Sequence, residues 1–176
     1  MYKIYLAGYI QGDKIKECSE WRKKIRDVYD NWETNYKKLG KDYAGMDDVR
    51  VVIKYPIEWL DPLNGKNLDK ITGDGLKSEA SPHSIVHRDY VAVTNANLIV
   101  VNMDTFGTER GLCGTLCELA WAWEHHIPII MITDEKKYAE HPFLSHFASE
   151  IVSSVDELLE KKLINYFYKG LVNAEY

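Results

Sequence analysis

Cysteine is scarce in this chain of 176 residues: Cys18, Cys113 and Cys117 are odd in number and form no C-x-x-C pair. That excludes a disulfide scaffold and points to a reducing compartment in which the thiols are structural. Blocks of Lys or Arg are also missing, and 22 basic against 27 acidic residues leave a net charge of −5. A nucleic-acid polymer or an anionic membrane surface is thereby excluded as the partner, and small molecules remain. The longest clearly apolar run, Ile127 to Ile132, is far short of the roughly 20 residues of a membrane-spanning helix. Because the chain enters a strand-like segment at once, a soluble, cytoplasmic protein without a leader is expected. The glycines from Gly107 to Gly114 match neither a Walker loop nor a G-x-G-x-x-G fingerprint, so they imply no phosphate cradle. His83 and His87 have the i, i+4 spacing of a helical metal pair. No third ligand has convincing spacing, and neither a metal nor another cofactor is expected.

What is present is an ordinary globular composition, 45% hydrophobic and 28% charged, with an aromatic share of 12% from 5 Trp, 12 Tyr and 4 Phe. A chain of this size buries roughly 70% of the surface its unfolded form exposes, so residues 1–176 are expected to form a single domain with no internal repeat. Lys3-Ile4-Tyr5-Leu6-Ala7, closed by Gly8, reads as a buried first strand. Ile15, Cys18, Trp21, Ile25, Val28 and Trp32 recur at steps of three and four, the stripe of an amphipathic helix. Residues 49–55 are β-branched and stopped by Pro56, which predicts the second strand. From 56 to 80 there is no period but many turn formers, and a stretch of that length suits a substrate loop.

Ser81-Pro82 opens a helix running to about Asn95. Leu98-Ile99-Val100-Val101 is the wholly apolar run of a central parallel strand. A helix carrying Leu112, Leu116, Leu119, Ala120 and Trp123 follows, then a strand over 128–132, a helix near 142–149 and a short strand at Ile151-Val152. Ser154-Val155-Asp156-Glu157 is a capping box for one last helix, ending at Gly170, whose apolar face takes in Leu158, Leu159, Leu163 and Tyr166. Five strands alternating with five helices predict an α/β, flavodoxin/Rossmann-like three-layer sandwich around a parallel sheet of order 2-1-3-4-5. Ligands then bind at the strand carboxyl ends, where the order reverses between strands one and three. Gly8 and Tyr9, Asn102 to Asp104, and Gly114-Thr115 are expected there.

Glu118 is the strongest single signal, because it is the one charged residue between Leu112 and Trp123. A desolvated carboxylate costs several kcal/mol unless it is paired or hydrogen-bonded, which suits a functional role or else an ion pair such as one to Arg110. Asp89 falls among Ile85, Val86, Tyr90 and Val93 on the face expected to turn inward; its plainer reading is an ion pair with Arg88. Two carboxylates in one cleft suit glycosidic-bond chemistry, one attacking the anomeric carbon while the other manages a proton. Trp59, in the long loop, either stacks on a nucleobase or pins the loop to the core.

These residues resemble the nucleoside 2-deoxyribosyltransferases over nearly the whole chain. The resemblance rests on Ile4-Tyr5-Leu6-Ala7-Gly8, on Asp89 followed by Asn97-Leu98-Ile99-Val100-Val101-Asn102, on Gly114-Thr115-Leu116-Cys117-Glu118-Leu119-Ala120, and on the closing Tyr176. It implies transfer of 2-deoxyribose between nucleobases through a covalent intermediate on Glu118. Asp89 would be the acid and base, Tyr9 would orient Glu118, and the carboxylate of Tyr176 would help complete the pocket. It further implies nucleosides and nucleobases as partners and a homo-oligomer with sites at subunit borders, the 141–147 segment being the part that reaches a neighbour. One departure stands out: Leu112 occupies a position where many relatives carry an acidic or hydroxyl residue at the 5′ end of the substrate. A nucleoside 5′-monophosphate N-glycosidase, or a nucleotide-sensing module without catalysis, is the alternative.

Overall fold

The computed structural model describes residues 1–30, 57–63, 81–109 and 111–168. Its centre is a parallel sheet of five strands: β1 (Tyr2–Gly8), β2 (Ile57–Leu60), β3 (Leu98–Asn102), β4 (Ile129–Ile132) and β5 (Glu150–Val152). Their order is β2-β1-β3-β4-β5, as the alternation predicts, and every neighbouring pair is parallel. The helices are α1 (Ile15–Asp30), α2 (Pro82–Thr94), α3 (Cys113–Glu124), α4 (Lys136–Ala139), α5 (Pro142–Phe147), α6 (Val155–Glu160) and α7 (Leu163–Phe167), with a 3₁₀ turn at Gly12–Lys14.

Alternation along the strands builds two cores. Tyr5, Ala7, Ile99, Val101, Ile129 and Met131 face Val93 of α2, Leu119 and Ala122 of α3 and Leu144 of α5. Ile4, Leu6, Leu98, Val100, Ile130 and Ile132 face Trp21, Ile25 and Tyr29 of α1, Leu158 of α6 and Ile164 of α7. Because successive side chains leave a strand on opposite faces, the middle strands must be apolar throughout, and all five residues of β3 are buried.

The second strand is displaced from its expected place. Ile57–Leu60 pairs with β1, Trp59 lying opposite Ile4, whereas residues 49–55 lie outside the described residues. β2 lies at the edge of the sheet, where a strand can begin directly after a proline without losing a ladder bond the sheet needs. The single last helix is also corrected. Lys162, at φ 52, turns the chain left-handed between α6 and α7, and Tyr166 is exposed while Ile164 takes the buried position. The cap at Ser154 does form, its Oγ accepting from the Glu157 amide at 3.1 Å, and the Glu157 carboxylate accepts from Ser153 N at 2.6 Å. Ser81 caps α2 likewise, accepting from Ser84 N at 3.2 Å. No helix among the described residues is long and apolar enough to cross a membrane.

Candidate active site

The carboxyl ends of β1 and β3 lie side by side, Gly8 opposite Asn102. Gly8 has φ +147, and a Cβ there would meet the Asn102 carbonyl oxygen at 2.8 Å. Glycine is required at this position both by backbone conformation and by close approach. Beyond β3, Asn102 Oδ1 accepts from Asp104 N at 3.0 Å and Asp104 Oδ1 from Phe106 N at 2.6 Å, so both side chains organise the turn that follows the strand. Gly114 and Thr115 open α3. Gly114 leaves open space where a side chain would stand, and Thr115 is buried one turn before Glu118.

Glu118 itself is only 9% exposed. The hydroxyl of Tyr5 donates to its Oε1 at 2.6 Å. Burial pushes the Glu118 carboxyl up to about 7, against the Tyr5 hydrogen bond and the positive charges of Arg22 and Arg88, which pull it down; the negative charge of Asp89 adds to the rise. Tyr5, enclosed next to that carboxyl, is held well above the usual phenol range by burial first and by the charge of Glu118 second.

Asp89 lies on α2 with its side chain 17% exposed. Arg88 approaches its Oδ1 through Nε at 2.8 Å and Nη2 at 2.7 Å. Burial raises the Asp89 carboxyl and Arg88 opposes the rise. The plainer reading of Asp89 as an ion-paired residue is therefore realised here, and the same residue lies close enough to Glu118 for its charge to be felt there. The face of α2 differs from expectation. Val93 is buried, but Val86 and Tyr90 are exposed by 56% and 38%, the helix being rotated so that Ile85, Asp89 and Ala92 turn toward the sheet.

Two expected contributors sit differently from expectation. Tyr9 does not make the contact to Glu118: it is buried beside Tyr5 in the same core, its hydroxyl has no hydrogen-bond partner among the described residues, and Tyr5 makes the contact instead. Trp59 lies on the opposite face of the sheet from Tyr5, packed with the Ile4 and Leu6 core. Its Nε1 donates to Asp30 Oδ1 at 2.8 Å and its ring meets Tyr29 edge-on at 6.3 Å, so it pins β2 to α1. Tyr176, Arg110 and residues 64–80 lie outside the described residues. Among the described residues no group of three or more His, Cys, Asp and Glu could hold a metal ion.

Sequence reasoning also missed Arg22 and Asp61, an ion pair with both side chains buried. Arg22 stands four residues after Cys18 and three before Ile25, inside the apolar stripe of α1, which is the signal that marks it.

No protein-family model matches the chain, and no curated protein matches it. Among solved structures it is similar to a conserved protein from Enterococcus faecalis, with a TM-score of 0.54 and 17% identity over 91% of this chain and 96% of that one. At that identity the likeness is one of fold.

Proposed function

We propose that the protein cleaves the N-glycosidic bond of 2′-deoxyribonucleosides and transfers the 2-deoxyribose to another nucleobase. The observation that carries this reading is the buried Glu118 carboxyl held by the Tyr5 hydroxyl at 2.6 Å, with a second carboxyl, Asp89, near enough for its charge to act on it. In the first half-reaction Glu118 attacks C1′ and the C1′–N bond breaks, its electrons leaving with the base, which takes a proton from Asp89. A glycosyl ester on Glu118 remains. In the second, an incoming base attacks C1′, the ester bond breaks, and Asp89 recovers the proton. Help from a positioned acid is worth roughly 10²- to 10⁴-fold in rate, so neither carboxyl suffices alone.

The buried, apolar Leu112 at the start of α3 presents no polar group to a 5′ substituent. Incubation with deoxyadenosine and free cytosine is expected to give deoxycytidine. Adenine and free deoxyribose alone would point to hydrolysis, and cleavage of a deoxynucleotide but of no nucleoside would overturn the reading in favour of a monophosphate glycosidase. We read the chain as a homo-oligomer as well: Val86, Tyr90 and Val91 of α2 and Leu116 and Trp123 of α3 are all exposed, and sedimentation of the intact chain as a monomer would refute it.

A further inference from the structure

The guanidinium of Arg22 is among the most enclosed groups of the fold, with its side chain 1% exposed. Burying a guanidinium costs several kcal/mol before its partners are counted, and an apolar side chain in the same stripe of α1 would fill the space without that cost. What an apolar residue cannot do is make the contacts seen here. Nη2 donates to the carbonyl of Gly8, the last residue of β1, at 3.0 Å. Nη1 donates to the Cys18 carbonyl one turn back on α1. Nε faces Asp61 Oδ1, just beyond β2, at 3.5 Å. Asp61 is itself fully enclosed, pairs with Arg26 through its other oxygen, and accepts from Leu63 N at 2.9 Å. The guanidinium also lies 4.5 Å above the Trp21 ring, and both groups border the place where a side chain on Gly8 would stand.

We infer that Arg22 is a positioning residue for the Glu118 site, fastening the carboxyl ends of β1 and β2 to α1 at the point where the chain leaves the sheet. The proposal rests on reading Glu118 as the reactive carboxyl. Gly8 is three residues beyond Tyr5, so the segment Arg22 fixes is the one that aims the Tyr5 hydroxyl at Glu118. Its charge acts in the same direction as that hydrogen bond, favouring the ionised carboxylate. The charged and titratable groups facing Arg22 are Cys18, Asp61, Tyr5 and Glu118. Those facing Glu118 are Tyr5 from β1, Asp89 and Arg88 from α2, and Arg22 from α1.

The test follows the Glu118 carboxyl directly, by carbon-13 NMR titration of the full chain labelled at glutamate, with Glu118→Gln assigning the signal. In Arg22→Met the Glu118 midpoint is expected to move up by roughly one pH unit, the lower end of what a neighbouring opposite charge does. Arg22→Lys restores most of the charge but has no fork to span Gly8 and Asp61. It should titrate near wild type while the amide signals around Gly8 shift. Asp61→Asn leaves Arg22 uncompensated and should move the midpoint down, a sign reversal that a general loosening of the fold does not produce. With nucleoside substrates, Arg22→Met should lower kcat more than it changes KM, with partial recovery in Arg22→Lys. Unchanged midpoints in folded Arg22→Met, or upward shifts in both Arg22→Met and Asp61→Asn, overturn the proposal. If Arg22→Met does not fold, Arg22→Lys decides: shifted amide signals around Gly8 support the fastening role, and unchanged ones overturn it. Because the titration needs no turnover, a wild-type protein inert toward nucleosides would refute the transfer reaction and leave this test intact.

Discussion

Replacing Glu118 by Gln should make the fold more stable as the pH rises above the ordinary carboxylate range, with the full effect above about pH 7. Its carboxyl is raised from 4.5 to about 7 by burial. Each pH unit of such a shift is about 1.36 kcal/mol between the two protonation states, so the full effect is about 3 kcal/mol. The sign follows from proton release. Below about pH 4.5 both folded and unfolded chains hold the proton and there is no cost. Between there and about pH 7 the unfolded chain gains by releasing it while the folded chain retains it, and stability falls. Above about pH 7 the whole penalty applies. The glutamine of the variant has nothing to ionise, and its amide oxygen can still accept from Tyr5. Any fixed cost of the amide is the same at both pH values and cancels in the comparison. For a chain of this size one kcal/mol corresponds to roughly 2–4 °C in Tm. The variant's Tm advantage should therefore be larger at about pH 8 than at about pH 4.5 by roughly 6–12 °C, as measured by thermal denaturation followed by circular dichroism. An equal offset at both pH values would refute the desolvation account of Glu118.

Other outcomes follow from particular contacts. Tyr5→Phe removes a hydrogen bond that lowers the Glu118 carboxyl; the Glu118 titration should move up and transfer should fall, whereas Tyr9→Phe deletes a buried hydroxyl that has no partner among the described residues and should stabilise the fold by about 1 kcal/mol in denaturant titration. Gly8→Ala forces a side chain to 2.8 Å from the Asn102 carbonyl at φ +147, and a loss of roughly 1–3 kcal/mol is expected in the same assay. Trp59→Phe loses the bond to Asp30 and should lower Tm while leaving KM for nucleosides unchanged; a KM change would return Trp59 to the substrate.

The sheet was legible because its middle strands carry their own evidence. Leu98 to Val101 is apolar on both faces, and only a strand covered by helices on both sides needs that. β2 was less legible, because residues 49–55 are the stronger β-branched run in sequence, while Ile57–Leu60 is four residues long, half-buried and followed at once by turn formers. The break between α6 and α7 left no mark, since a lysine, not a glycine or asparagine, takes the left-handed conformation. At the site, Glu118 stood out by being charged in an apolar helix. Tyr5 did not, because a tyrosine inside a strand reads as core until its neighbours Ile4 and Leu6 are assigned to the other face. Its hydroxyl then has to find a partner on the α3 side, and the period of two, carried one step further, selects Tyr5 and Ala7 for that side together.

The order in which the two carboxyls titrate sets the sharpest demand on the proposed chemistry. Glu118 feels the charge of Asp89 because Asp89, supported by Arg88, ionises first. Between the two midpoints the pair holds one proton, and that proton rests on Glu118. Attack on C1′ requires the opposite placement, Glu118 ionised and Asp89 protonated, with the same total. The reactive form is thus a minor one of the singly protonated pair, its share falling about tenfold for each pH unit that separates the sites. Two consequences are measurable. The profile of kcat/KM against pH should be a bell whose alkaline limb falls at about 7, rather than a curve that rises there and stays level as it would if ionised Glu118 alone were needed. And Arg88→Met, which removes the group that opposes the rise of Asp89 while affecting Glu118 less directly, should bring the two midpoints together and raise the maximum of the bell. A variant that moves the midpoints together without raising the maximum would show that Asp89 does not supply the proton.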